Sequence, residues 1–300
     1  MTVTTTTGEP RPFPPLAGVR HRYVDIGSVR LHVAEAGQGE PVLLLHGFPQ
    51  HWYAWRKVIP LLSDRYRLIC PDLRGFGWSD APEDGGYDTD SRVADVLALM
   101  DALDLPSVRL IGHEWGAWTG FMLCLKAPER FRAFLALNIV HPWPLHRRLA
   151  PQSWRFWYTA ILEMPLLGRW VLRNRPGFTR YLLRRGVVAQ GAWEDGALEE
   201  FLAASSEPGA ARAGEALHRA FALRDVSRLA LGRYHRLRLD TPTHLITGER
   251  DFVLPPSVLG GGERNASALR VEGVPECGHY VHEERPELVA EAAVRLFEGR

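Results

Sequence analysis

The 300-residue chain is short of several things at once. Its three cysteines, Cys70, Cys124 and Cys277, are odd in number and widely spaced, which gives no disulfide framework and fits a reducing compartment. Lysine is nearly absent, with Lys57 and Lys126 the two examples, so the 36 basic residues are almost all arginine. Against 35 acidic residues they leave a formal charge of +1, which gives nucleic acid or an anionic membrane no reason to bind. No apolar run approaches bilayer length. The opening MTVTTTTGEPRPFPP lacks an apolar signal core and reads as a flexible leader over 1–15. The cytoplasm is the expected location. HExxH, CxxC, GxGxxG and phosphate-loop patterns are all missing, so neither a metal nor an organic cofactor is expected.

What is present has the pattern of an α/β protein. HRYVDIG and VRLHVAEAG alternate around a Gly-Ser turn and predict an opening hairpin. PVLLLHG (41–47), YRLICPD (66–72), VRLIGH (108–113) and RAFLALNIV (132–140) are short continuous apolar runs, as in strands buried on both faces. Helix-like stretches alternate with them, which predicts a mostly parallel, doubly wound sheet. The rhythm breaks at His141-Pro142-Trp143-Pro144. Residues 141–235 read as helical, and THLITGERD (243–251) and LRVEGV (269–274) then resume the strand pattern. A helical cap, or lid, over 141–235 is therefore expected between two halves of a core domain, 16–140 and 236–300. Ten tryptophans, many of them between residues 115 and 193, suggest a greasy pocket.

In a parallel sheet, ligands bind outside the carboxyl ends of the strands. Four motifs fall there. HGFPQHWYAW (46–55) turns on a glycine and can point a main-chain N–H at the site. IGHEWGAW (111–118) has the outline of a sharp strand-to-helix turn, Gly-x-Nu-x-Gly, with Glu114 at its tip. GERD (248–251) places Asp251, and ECGHYVHEERPE (276–287) places His279. Acidic nucleophile, acid and histidine follow one another in chain order. His46, His113 and the charged turn of Asp72, Arg74 and Asp80 read as bracing around these motifs.

HGFP, DLRGFGWSD, GHEWG, GERD and GHYVHEERPE, in that order, resemble the epoxide-hydrolase branch of the α/β-hydrolases, whose relatives include haloalkane and fluoroacetate dehalogenases. The resemblance implies the α/β-hydrolase fold and a cofactor-independent hydrolase. A carboxylate would attack an epoxide carbon to form an ester with the enzyme. His279, held by Asp251, would activate water against that ester. The N–H groups of Phe48 and Trp115 would form the oxyanion hole. Two cap tyrosines open the ring in that family. The first maps onto Tyr158 in WRFWYTAIL (154–162), and the place of the second holds His218, with Tyr181 and Tyr234 as substitutes. Phe48, Trp115, Trp154, Trp157, Tyr158 and His218 are the expected substrate-binding residues.

The nucleophile departs from the family, which usually has Asp where Glu114 stands. The extra methylene moves the carboxylate by about 1.5 Å, which matters because a misplacement of about 1 Å can cost roughly 100-fold. The favoured activity is hydrolysis of a bulky apolar or aromatic epoxide to a diol through a glutamyl ester. A haloalkane dehalogenase-like hydrolase is one alternative. A catalytically impaired or engineered nucleophile, or a binding or rearrangement pseudo-hydrolase using Glu114 only for proton transfer, is the other. Some relatives take their acid from the end of the earlier strand, where this chain has Asn138-Ile139-Val140 and no carboxylate. A homodimer is compatible with such a chain.

Overall fold

Eight strands form one sheet, and their order brings the four motifs to a single edge. In a computed structural model that describes residues 11–193, 195–262, 264–266 and 268–299, the strands are β1 (Arg20–Asp25), β2 (Arg30–Ala36), β3 (Glu40–Leu45), β4 (Tyr66–Pro71), β5 (Val108–His113), β6 (Phe131–Leu137), β7 (Thr243–Gly248) and β8 (Leu269–Val274). They lie side by side as β1-β2-β4-β3-β5-β6-β7-β8. The hairpin β1–β2 is antiparallel and β2 joins β4 antiparallel; from β4 onward every pairing is parallel. The register aligns Leu45 with Gly112, His113 with Leu137, and Leu137 with Ile246. The carboxyl ends of neighbouring strands therefore stop level, and the loops leaving them converge.

Alternation along each strand builds two cores. Leu43, Leu45 and Leu110 face one side, where the helices Thr89–Ala102 and Trp115–Lys126 bury Val96, Leu99, Trp118 and Phe121. Val42, Leu44 and Ile111 face the other, against Trp52, Trp55 and the helix Pro286–Phe297. Pro at the first turn of that last helix suits a position whose N–H has no helical partner.

Between β6 and β7 the described residues contain helices and no strand. This insertion holds the helices Trp157–Leu162, Leu167–Asn174, Pro176–Arg185, Ala197–Ser206, Pro208–Ala220 and Val226–Ala230. It is fastened to the rest by ion pairs, with Arg56 bidentate on Asp195 (2.5 and 2.9 Å), Arg224 on Asp88 (2.7 Å) and Arg228 on Asp90 (2.8 Å). Of the expected leader, residues 1–10 lie outside the described residues. Residues 11–15 differ from that expectation: the Trp78 indole donates to the Arg11 carbonyl (2.7 Å), and Phe13 stacks on His21 with ring centroids 4.1 Å apart. Among the described residues no helix is long and apolar enough to cross a membrane.

Candidate active site

Glu114 sits at φ 50°, ψ −115°, a backbone that L-residues seldom adopt. The turn is held from both sides: Glu114 N–H donates to the Leu137 carbonyl (3.0 Å) and Trp118 N–H to the Glu114 carbonyl (2.8 Å). Gly116 is required here, because a Cβ would collide with the Leu45 carbonyl oxygen. Gly47 is needed opposite, because a Cβ there would lie 2.7 Å from the backbone-fixed Glu114 Cβ, as well as 2.6 Å from Glu114 Oε2. The longer side chain thus folds into space left by a missing methyl group. Its Oε2 accepts the Phe48 N–H at 2.6 Å, and the Trp115 N–H also bonds the carboxylate.

Burial raises the pKa of Glu114 to about 7; the charge of His279, the two N–H groups and the buried Arg92 pull the other way without prevailing. Arg92 lies beyond the Trp115 ring, 5.4 Å from its centroid, and donates to Thr89 Oγ1 (2.9 Å). Burial lowers its own pKa to about 10, against the opposing charges of Asp225, Glu114, Asp88 and Asp95.

Asp251 Oδ2 accepts from His279 Nδ1 at 2.8 Å, and its Oδ1 caps the turn after β7 by accepting from the N–H groups of Val253 (2.7 Å) and Leu254 (3.0 Å). Burial alone would raise the Asp251 pKa; His279 and these N–H groups lower it below the ordinary value. For His279, burial disfavours the imidazolium, but Asp251 and the Glu114 charge outweigh it and raise its pKa. Because the Asp251 bond fixes the proton on Nδ1, Nε2 of the neutral ring is left as the base.

Two residues that sequence reasoning did not place in the site support this pair. Asn138, at the end of β6 with φ 47°, donates from Nδ2 to Asp251 Oδ2 (3.1 Å) and to the Gly278 carbonyl (3.1 Å). The position noted for lacking an acid instead orients the acid that comes from β7. Glu284 accepts the N–H groups of Gly278, Val188 and Ala189, each at 2.7 Å, and so ties the His279 loop to the insertion. Its signal was HEER after GHYV, read only as motif.

A cavity of about 360 Å³ opens above Glu114. Glu114, Trp115, Tyr158, His218 and His279 line it, with Phe156 and Phe221 among mostly apolar neighbours. Other expected binders are elsewhere. Trp154 is 66% and Trp157 46% exposed, and neither lines the cavity. Phe156 and Tyr158 line the cavity from either side of the junction where the turn Ala150–Phe156 gives way to the helix that starts at Trp157. The Phe48 ring packs edge-on against His218 (4.8 Å) and Phe76 (6.2 Å) instead of forming the wall.

The expected second ring-opening donor also needs correction. His218 Nδ1 lies 2.7 Å from the Gly214 carbonyl, which can only accept, so Nδ1 carries the proton. Burial lowers its pKa to about 4, so the ring is neutral and Nε2 is a lone pair. Neither substitute fills the place: Tyr181 is 48% exposed, and the Tyr234 hydroxyl donates to Asp225 Oδ1 at 3.3 Å. Tyr158 is the remaining phenol on the wall, with a pKa raised well above the ordinary value, first by burial and then by Glu114 and Asp251. The bracing residues hold loops. His46 Nε2 accepts the Leu73 N–H (2.9 Å), His113 Nε2 donates to the His279 carbonyl (2.9 Å), and Asp72 accepts the N–H groups of Trp52 (2.7 Å) and Trp78 (3.0 Å).

This arrangement can be set beside known proteins. Epoxide hydrolase 2 of Siraitia grosvenorii is 42% identical over 123 residues, which span 40% of this chain and 39% of that one. A soluble epoxide hydrolase of Corynebacterium sp. (strain C12) is 28% identical over 303 residues, 93% of this chain and 97% of that protein. The crystal structure of epoxide hydrolase VrEH1 from Vigna radiata superposes with a TM-score of 0.81 at 25% identity, covering 96% of this chain and all (100%) of that one. The family profile described as alpha/beta hydrolase fold matches residues 40–286. Since that match runs from the start of β3 through the insertion and past His279, the chain belongs to the alpha/beta hydrolase fold family.

Proposed function

We propose that this chain hydrolyses an epoxide to a diol through an ester on Glu114. The observation that carries the reading is the placing of the Glu114 carboxylate. It lies in two main-chain N–H groups at the floor of an apolar cavity, with the His279–Asp251 pair on the same cavity. One carboxylate oxygen attacks a ring carbon, the carbon–oxygen bond of the ring breaks, and the oxygen takes the Tyr158 proton. His279 Nε2 then removes a proton from water, and the hydroxide adds to the ester carbonyl. The Phe48 and Trp115 N–H groups hold the resulting oxyanion. Collapse releases the diol, which takes its proton from His279, and the regenerated Glu114 acid returns a proton to the Tyr158 phenolate. Forming the ester also removes the Glu114 charge that helps keep His279 protonated. The base is thereby freed at the step that uses it.

One turnover in heavy-oxygen water should put label into the Glu114 carboxylate, read by peptide mass spectrometry. Diol formed over repeated turnovers with no label there would instead assign Glu114 to proton transfer on water. A dehalogenase reading has one observation in its favour. The Trp115 indole N–H, on a residue lining the cavity, is buried without a protein partner among the described residues, and an N–H can receive a departing halide. Halide release without diol from matched substrates would select it.

A further inference from the structure

The two polar groups that the insertion places beside the nucleophile are of opposite kinds. Tyr158 offers an O–H. His218 offers a lone pair: Nδ1 is committed to the Gly214 carbonyl at 2.7 Å, one helical turn back, and Nε2 has no protein partner among the described residues. The His218 ring stands edge-on to both Phe48 (4.8 Å) and Trp115 (5.3 Å), the residues whose N–H groups hold Glu114. Glu114 and His218 line one cavity and are packed through the same two residues. No side chain on the wall, Ser153 and the Trp115 indole N–H included, is hydrogen-bonded to His218 Nε2 among the described residues. Thr159 donates its hydroxyl to the Phe156 carbonyl (2.9 Å), and the Glu163 carboxylate is itself an acceptor.

We infer that the cavity selects epoxides carrying their own hydrogen-bond donor next to the ring, with His218 Nε2 accepting from it: epoxy alcohols, not plain epoxides. This rests on the epoxide-hydrolase reading and deepens it. Burial keeps the imidazole neutral with its pKa near 4, so it acts as an acceptor and not as a base. A substrate that fills the cavity without offering a donor excludes water from this cavity-facing lone pair and leaves it unpaired, and a site built to bond a hydroxyl discriminates strongly against the analogue lacking it.

The test is a matched pair, 3-phenylglycidol and its O-methyl ether. The native enzyme should favour the alcohol about tenfold or more in kcat/KM. His218→Phe should collapse that ratio to near one, and His218→Tyr, which supplies an O–H, should shift it toward the ether. Calorimetric binding of the unreactive 3-phenylpropan-1-ol and its methyl ether to the native protein reads the same acceptor without turnover and without a variant. Equal kcat/KM for the two epoxides with equal binding of the two saturated ligands overturns the inference and leaves the hydrolase reading standing. Tighter binding of the saturated alcohol, with neither epoxide turned over, supports the acceptor and sinks the hydrolase reading.

Discussion

Glu114 and Asn138 directly follow strand ends, and Asp251 and His279 come within five residues of theirs, all at one edge of the sheet. Their settings are largely main-chain: N–H groups hold Glu114 and Asp251, and the residues behind them are glycines that no other residue could replace. The insertion contributes differently. Tyr158 and His218 project from helix faces, and the insertion that carries them is fastened partly by arginine–carboxylate pairs at the surface. Residues 141–235 hold fourteen arginines against eight carboxylates in a chain whose whole balance is +1, so the insertion is basic and the remainder acidic. On the proposed mechanism the sheet ends supply the nucleophile and the pair that activates water, while the insertion supplies the ring-opening acid and the wall that selects the substrate. Changes at the sheet ends should thus reach ester hydrolysis, whereas changes in the insertion should act on ester formation and substrate choice.

The largest effect is expected from Glu114→Gln, which keeps the acceptor for Phe48 N–H but removes the nucleophile of the proposed reaction. Turnover should fall by at least about 10⁴-fold. The same variant should be more stable than the native chain at alkaline pH. Between pH 4.5 and about 7 the folded state holds a proton that the unfolded state has released, so ionising buried Glu114 costs stability as pH rises through that window. A shift from 4.5 to about 7 corresponds to roughly 3 kcal/mol. Denaturant unfolding at pH 8 and pH 4 should show the gain at the first and none at the second.

Glu114→Asp withdraws the carboxylate from the Phe48 N–H it now reaches at 2.6 Å, and turnover should drop by about 100-fold. A rise would mean that the native Glu is the impaired form. Tyr158→Phe removes the phenol that would protonate the ring oxygen in the proposed mechanism. It should slow ester formation by about 100-fold in single-turnover kinetics and leave ester hydrolysis alone. Asn138→Ala takes one donor from Asp251 and should cost about tenfold in kcat, because it loosens a pair without deleting it. Smallest of all, Trp154→Ser and Trp157→Ser should leave kcat/KM within about twofold, since exposed side chains away from the cavity seldom matter. A large loss from either would erase the distinction between the two parts.

The same division sets how much could be read without coordinates. Strands and strand-end residues were legible because buried strands are short apolar runs and the turns after them demand glycine, both visible in one dimension. Asn138 was visible as an absent acid and not as a donor, since its partner lies on another strand. In the insertion, helices could be expected but not their rotation. Trp154 and Trp157 looked like pocket residues by type, yet Phe156 and Tyr158 hold the inward face. His218 stood at the right place with the wrong polarity, because its tautomer is set by a carbonyl four residues back, which no motif records.

The donors around Glu114 belong to the main chain at positions 48 and 115, not to the side chains there. Any heritable change at those codons except one to proline keeps the N–H in place. A lineage, or a library, can therefore recut the packing behind His218 through residue 48 and the wall itself through residue 115 while the two N–H groups around Glu114 are transmitted intact. The shape of the cavity and the setting of its carboxylate are written in the same two residues but are separately inherited.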